Sequence, residues 1–213
     1  MYQYILFDLD GTLTDPGLGI TNSVMHALKK YNIEVEDRTT LYKFIGPPLT
    51  DSFENYYGFS PEESERAVVY YREYFSEKGL FENTVYPDIE QVLQTLKAQG
   101  KTLILATSKP EIYAKQILEH FHLDVYFDFV SGATMDKTRV KKPDIIAYAI
   151  EKCNLSDLSK VIMVGDREHD IFGARACHMD SIGVLYGYGN QDELTKAGAT
   201  YLAQSPQDIL KFL

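Results

Sequence analysis

Short apolar runs recur along the chain with helical stretches between them, and that alternation restricts the fold more than any other feature. The runs are Tyr4–Phe7 and residues 102–106, 129–131, 161–164 and 181–184, with a weaker one near 200–202. Most lack the polar residue at every second position that a half-exposed strand shows, so they suit strands covered on both faces. Residues 88–99 place Ile89, Val92, Leu93 and Leu96 on one helical face and stop at Gly100. Residues 110–121 open with Pro at a first helical position, and 144–152 follow Pro143 with Ile145, Ile146, Ala149 and Ile150 available for burial. Strand and helix alternate, which predicts an α/β fold with a doubly wound, Rossmann-like parallel sheet.

Residues 15–83 interrupt the alternation. Ile20, Val24, Ala27, Leu28 and Tyr31 fall at helical spacing, a second helical stretch lies near 50–57, and a long helix starts at "SPEE". There Ser60 and Glu63 form a capping box with Pro61 inside it. The expected organisation is an α/β core of residues 1–14 and 84–213 carrying an inserted all-α domain at 15–83.

Composition narrows the partners. With 213 residues and 45% hydrophobic content, the chain can bury an ordinary core. A formal net charge of −10 repels polyanions, so nucleic acid is a poor partner and any phosphate must be met by a local site. Only Cys153 and Cys177 occur, without a Cys-x-x-Cys pair, which speaks against a disulfide framework or a zinc ribbon. No apolar run approaches the roughly 20 residues of a membrane span, and the N-terminus lacks a basic leader. A cytoplasmic protein without a membrane partner, monomeric or homodimeric, is expected.

In an open parallel sheet, ligands bind beyond the carboxyl ends of the strands. Those ends read Asp8-Leu9-Asp10, Thr107-Ser108-Lys109 and Gly165-Asp166, and Lys141-Lys142 stands just before a helix. Carboxylates two residues apart on extended chain point to one side, and their charge in a dry cleft calls for a cation. Mg2+ suits oxygen ligands and engages phosphate, with Asp166 completing its shell. One carboxylate of the pair can attack phosphorus while its neighbour gives and takes the proton. Thr107 can hydrogen-bond a phosphoryl oxygen, and a lysine can neutralise charge on the transferring group.

These segments resemble, in order, the four motifs of the haloacid dehalogenase superfamily of phosphohydrolases: "DLDGT" at Asp8, "LILATSK" containing Thr107, the lysine of "VKKPD", and "VGDREHD" ending in Asp170. The resemblance covers nearly the whole chain. It implies that Asp8 is nucleophile and metal ligand, and that Asp10 is the acid/base and a ligand through its backbone carbonyl. Thr107 would hold phosphate, with Ser108 beside it on the substrate, while Asp166 ligates Mg2+ and Asp170 supports the metal shell. The helical insert would be a cap that closes over a small phosphate ester. Among relatives of the phosphoglycolate phosphatase type the lysine stands two residues before the acidic helix start, which selects Lys142 and leaves Lys141 in reserve. "FIGPPLTDSF" and "LYGYGNQDEL" look like the phosphoglycolate phosphatase and nucleotidase-like branch, where the Gly46 turn and Lys43 of the cap would meet substrate. The expected activity is hydrolysis of phosphoglycolate or a nucleoside monophosphate through an aspartyl-phosphate. The alternatives are a phosphosugar mutase of the same superfamily and a non-catalytic phosphate-ligand sensor.

Overall fold

The structure is a computed structural model that describes residues 1–213. Ile5, Leu6 and Phe7 of β1 (Tyr4–Phe7) point alternately to opposite faces, yet none reaches solvent, so both faces are covered. That is why the run is apolar throughout. The chain leaves through the short strand β2 (Thr14–Asp15) and returns through β3 (Thr84–Val85). β1 then pairs in parallel with β4 (Thr102–Pro110) on one side and β6 (Val161–Gly165) on the other, Phe7 lying level with both Leu105 and Val164. With β5 (Phe129–Ala133), β7 (Asp180–Val184) and β8 (Tyr201–Ala203), the sheet runs β5-β4-β1-β6-β7-β8, parallel throughout.

The connections step outward from β1 to β5, then return to the other side of β1 and step outward again to β8. The order therefore reverses at β1, and beyond its carboxyl end a parallel sheet opens its ligand crevice. The helices are α4 (Ile89–Ala98), which leads into β4, then α5 (Glu111–His120), α6 (Lys142–Lys152), α7 (Glu168–Ala176) and α8 (Gln191–Ala197). Ile145, Ile146 and Ala149 of α6 and Ala174 of α7 pack with Leu6, Ile104, Ala106 and Met163 of the sheet.

Two of the boundaries that differ from the sequence reading bear on the site. β4 continues through Thr107-Ser108-Lys109 to Pro110, which caps α5 from extended backbone instead of opening it; the register against β5 shifts between Thr107 and Pro110. α6 begins at Lys142, two residues early, because Pro143 fits the first helical turn, where no intrahelical N–H bond is lost.

The chain divides into two compact units, Met1–Thr14 with Val85–Leu213, and Asp15–Thr84. The second is helical: α1 (Gly17–Lys29), a 3-10 stretch (Arg38–Phe44), α2 (Leu49–Tyr57) and α3 (Pro61–Tyr74), which runs into a π-helical turn (Phe75–Gly79). Its interior is aromatic, with Phe44 edge-on to Phe53 at 5.1 Å and Phe53 stacked on Phe59 at 5.8 Å. At the start of α3, Ser60 Oγ accepts from the Glu63 N–H at 3.3 Å and Glu63 Oε2 accepts from the Ser60 N–H at 2.9 Å. Ser60→Ala is expected to cost about 1 kcal/mol, read as a lower urea midpoint at unchanged m-value.

Candidate active site

Asp8 is the first residue past β1, and its N–H donates to the Val164 carbonyl of β6 at 2.9 Å. That bond continues the ladder and fixes Asp8 beside the strand that ends in Asp166. From the first turn of α6, the Lys142 ammonium lies 2.8 Å from Asp8 Oδ1 and 2.7 Å from Asp170 Oδ1, and it donates to the Ala106 carbonyl of β4 at 3.0 Å. The directed hydrogen bond goes to the carbonyl. The two carboxylate oxygens lie at ion-pair distance from the same ammonium. Gly173 of α7 makes room for the lysine stem, since a Cβ there would overlap Lys142 Cγ. Burial alone would lower the Lys142 pKa, but Asp170 and Asp8 outweigh it and hold the ammonium above the usual lysine range.

Asp166 follows β6, and Asp170 lies in the first turn of α7. Asp166 Oδ2 accepts from the Tyr188 N–H at 2.8 Å, and Oδ1 receives a long contact from the Thr12 hydroxyl at 3.5 Å. Asp170 Oδ2 accepts from the Arg167 N–H at 3.1 Å. Gly11, at φ +82°, lets the loop after Asp10 close on the Asp166 carboxylate, where any side chain would collide. Oxygens of Asp8, Asp166 and Asp170 all lie within 4.8 Å of one another, and all three residues are buried.

Electrostatics decides what such a cluster can hold. Burial pushes Asp166 well above the usual carboxylate range, and Asp170 and Asp8 push it further. Burial also raises Asp170 to about 6, against the pull of Lys142. The three carboxylates thus outweigh the one ammonium among them, and the cluster is short of positive charge. Hard oxygen donors with surplus negative charge fit a divalent cation.

Asp10 stands apart from that triad. Its Oδ2 takes the Lys109 ammonium at 2.5 Å, with the lysine side chain only 5% exposed. Burial raises the Asp10 pKa and Lys109 opposes it. Its Oδ1 is buried without a hydrogen-bond partner. Thr107 is buried one residue beyond the level of Asp8, and its hydroxyl accepts from the Lys109 N–H at 3.3 Å. Ser108 is half-buried, while Lys141 is exposed.

The sheet thus gathers Asp8, Asp166, Asp170 and Lys142 directly, with Asp10 two residues beyond Asp8 after β1 and Thr107 on the neighbouring β4. Lys43 and Gly46 belong to the helical unit, where the exposed Lys43 ammonium sits 4.4 Å over the Tyr56 ring and Gly46 adopts φ +106°. Sequence reasoning gave no role to Lys109, to the Ala106 carbonyl or to the Tyr188 N–H. Only Lys109 left a signal, as a cation closing a strand whose preceding residues already carried the phosphate reading.

Residues 5–184 match the haloacid dehalogenase-like hydrolase family. A 5'-nucleotidase of Pseudomonas aeruginosa is 44% identical over 193 residues, 91% of this chain and 87% of its own. The tyrosine-protein kinase PtkA of Mycobacterium tuberculosis is 36% identical over 95% of this chain and 69% of its own. A crystal structure from Clostridium acetobutylicum, described as a predicted phosphatase, shares 50% identity at a TM-score of 0.97, covering 100% of this chain and 98% of that one. The chain belongs to the haloacid dehalogenase-like hydrolases. No helix is long and apolar enough to cross a membrane.

Proposed function

We propose that this hydrolase is a phosphatase for small phosphate monoesters, with a nucleoside 5'-monophosphate as the preferred class, working through an aspartyl-phosphate on Asp8. The observation that carries the reading is the convergence of Asp8 with Asp166, Asp170 and the Lys142 ammonium at the reversal point of the sheet. The nucleotide preference rests on the similarity to the Pseudomonas aeruginosa 5'-nucleotidase.

In this reading a carboxylate oxygen of Asp8 attacks phosphorus, and the bond to the leaving oxygen breaks. Asp10 supplies the proton that oxygen needs, then takes one from the water that attacks the acyl phosphate and regenerates Asp8. Thr107 and Lys142 hold the phosphoryl oxygens, whose charge is spread in the transition state. Mg2+ would be held by Asp8 and Asp166, with Asp170 behind them and the Asp10 carbonyl as a further ligand, and would neutralise phosphoryl charge. The helical unit, with Lys43 and Gly46, would act as the cap that excludes water.

The test is phosphate release from nucleoside monophosphates, phosphoglycolate, hexose phosphates and p-nitrophenyl phosphate, before and after EDTA. Release should fall to background with chelator and return with excess Mg2+. Mg2+ at about 100 times its Kd should also add about 2.7 kcal/mol of stability, read as a rise in Tm. Unchanged release in EDTA would overturn the metal assignment. Isomerised sugar phosphate without free phosphate would favour a mutase, and tight binding without turnover a sensor.

A further inference from the structure

Lys109 belongs to no part of the phosphatase reading, yet it is one of the few buried lysines and its ammonium pairs with the Asp10 carboxylate. Holding a long flexible chain in that place has an entropic cost, and surface solvation was the alternative available to it. The other buried ammonium nearby, Lys142, already serves Asp8 and Asp170. Lys109 thus meets Asp10, while Lys142 meets Asp8 and Asp170.

The consequence for Asp10 is geometric. Oδ2 is engaged by Lys109, whereas Oδ1 is buried and has no hydrogen-bond partner. A carboxyl group left to rotate would offer either oxygen to a leaving group, and a misplacement of about 1 Å can cost roughly 10²-fold in rate. Lys109 starts from the same strand end as Thr107, whose hydroxyl accepts its N–H, so the tether is built on the segment assigned to phosphate.

Resting on the phosphatase reading, we infer that Lys109 is a positioning residue that fixes the Asp10 carboxyl through Oδ2 and thereby dedicates Oδ1 to proton exchange with the leaving oxygen and the attacking water. In the first step the Asp8–phosphorus bond forms as the ester P–O bond breaks. The electron pair of that bond goes to the leaving oxygen, which takes the proton from Asp10 Oδ1. In the second, Oδ1 takes a proton from water, the hydroxide oxygen bonds to phosphorus, and the Asp8–phosphorus bond breaks. The Lys109 ammonium keeps its protons throughout.

The experiment compares first-turnover rates of wild type, Lys109→Met and Lys109→Arg on two esters. p-Nitrophenyl phosphate expels a phenolate that leaves without a proton, whereas an alkyl phosphate requires one. Lys109→Met is expected to slow transfer from the alkyl ester by about 10²-fold, at little change in KM, and the p-nitrophenol burst by less than about fivefold. Lys109→Arg should recover most of the alkyl rate. Equal losses on both esters would overturn the inference, because they would mark a general structural role or a direct charge on the phosphoryl group; so would no loss on either. Wild-type protein without Asp8-dependent release would sink the phosphatase reading instead. The positioning role is then read from crystal structures of the variants: Asp10 turned away in Lys109→Met and retained in Lys109→Arg supports it, and Asp10 unmoved in Lys109→Met refutes it.

Discussion

Asp8→Asn is expected to lower kcat by about 10⁵-fold on every substrate the protein accepts, with no phosphoenzyme detectable after an acid quench. The amide is nearly isosteric with the carboxylate but cannot form the acyl phosphate, so the loss falls on chemistry and not on shape. Asp8 is fixed by its own N–H bond to Val164, which the substitution leaves in place. The electrostatic changes oppose each other. Removing the Asp8 charge relieves Asp166 and Asp170, both of which it pushes upward, and takes one of two partners from Lys142. Because Asp170 remains within 2.7 Å of that ammonium, unfolding free energy should stay within about 1 kcal/mol of wild type. Substrate should still bind, so KM or a measured Kd should move far less than kcat. A well-folded variant that retains more than about a hundredth of the wild-type rate would refute nucleophilic catalysis by Asp8.

How much of this was legible in the sequence depends on the kind of atom involved. Asp8, Asp10 and Asp166 are readable because acids at the ends of apolar strands are costly unless they do something, and a parallel sheet gathers its strand ends. The strands themselves are readable because burial on both faces removes alternation, as in Ile5, Leu6 and Phe7. Contacts made by the backbone leave no residue-type signal: the Ala106 carbonyl and the Tyr188 N–H would be the same groups under almost any side chain. Lys109 failed for a different reason. A lysine at a strand end is ordinarily a solvated stem, and only the tertiary arrangement shows it turned inward to Asp10. The early start of α6 likewise follows from how Pro143 fits a first turn, a one- or two-residue choice that periodicity does not resolve.

The choice between Lys141 and Lys142 leads to the second large effect. Two adjacent lysines look alike in sequence, but Lys141 is the exposed residue before α6, whereas the Lys142 side chain is 3% exposed between two carboxylates. Lys142→Met is expected to lower kcat by roughly 10²- to 10³-fold, as loss of one aimed charge at the transferring group does. It should also destabilise the fold by about 3 kcal/mol, because removing one partner of a buried ion pair leaves the other uncompensated. The stability loss and the activity loss have different origins and can be separated. Asp170→Asn added to Lys142→Met removes one uncompensated charge, so the double variant should regain about half of the lost stability while its kcat stays low. Lys141→Ala should remain near wild type in both respects. Urea unfolding and steady-state rates on the four proteins measure this. If Lys141→Ala proves the damaging substitution, or if Asp170→Asn deepens the instability of Lys142→Met, the ammonium is not what balances Asp8 and Asp170. If stability returns in the double variant and activity returns with it, Lys142 serves the fold alone, and the charge that meets the phosphoryl group must come from elsewhere.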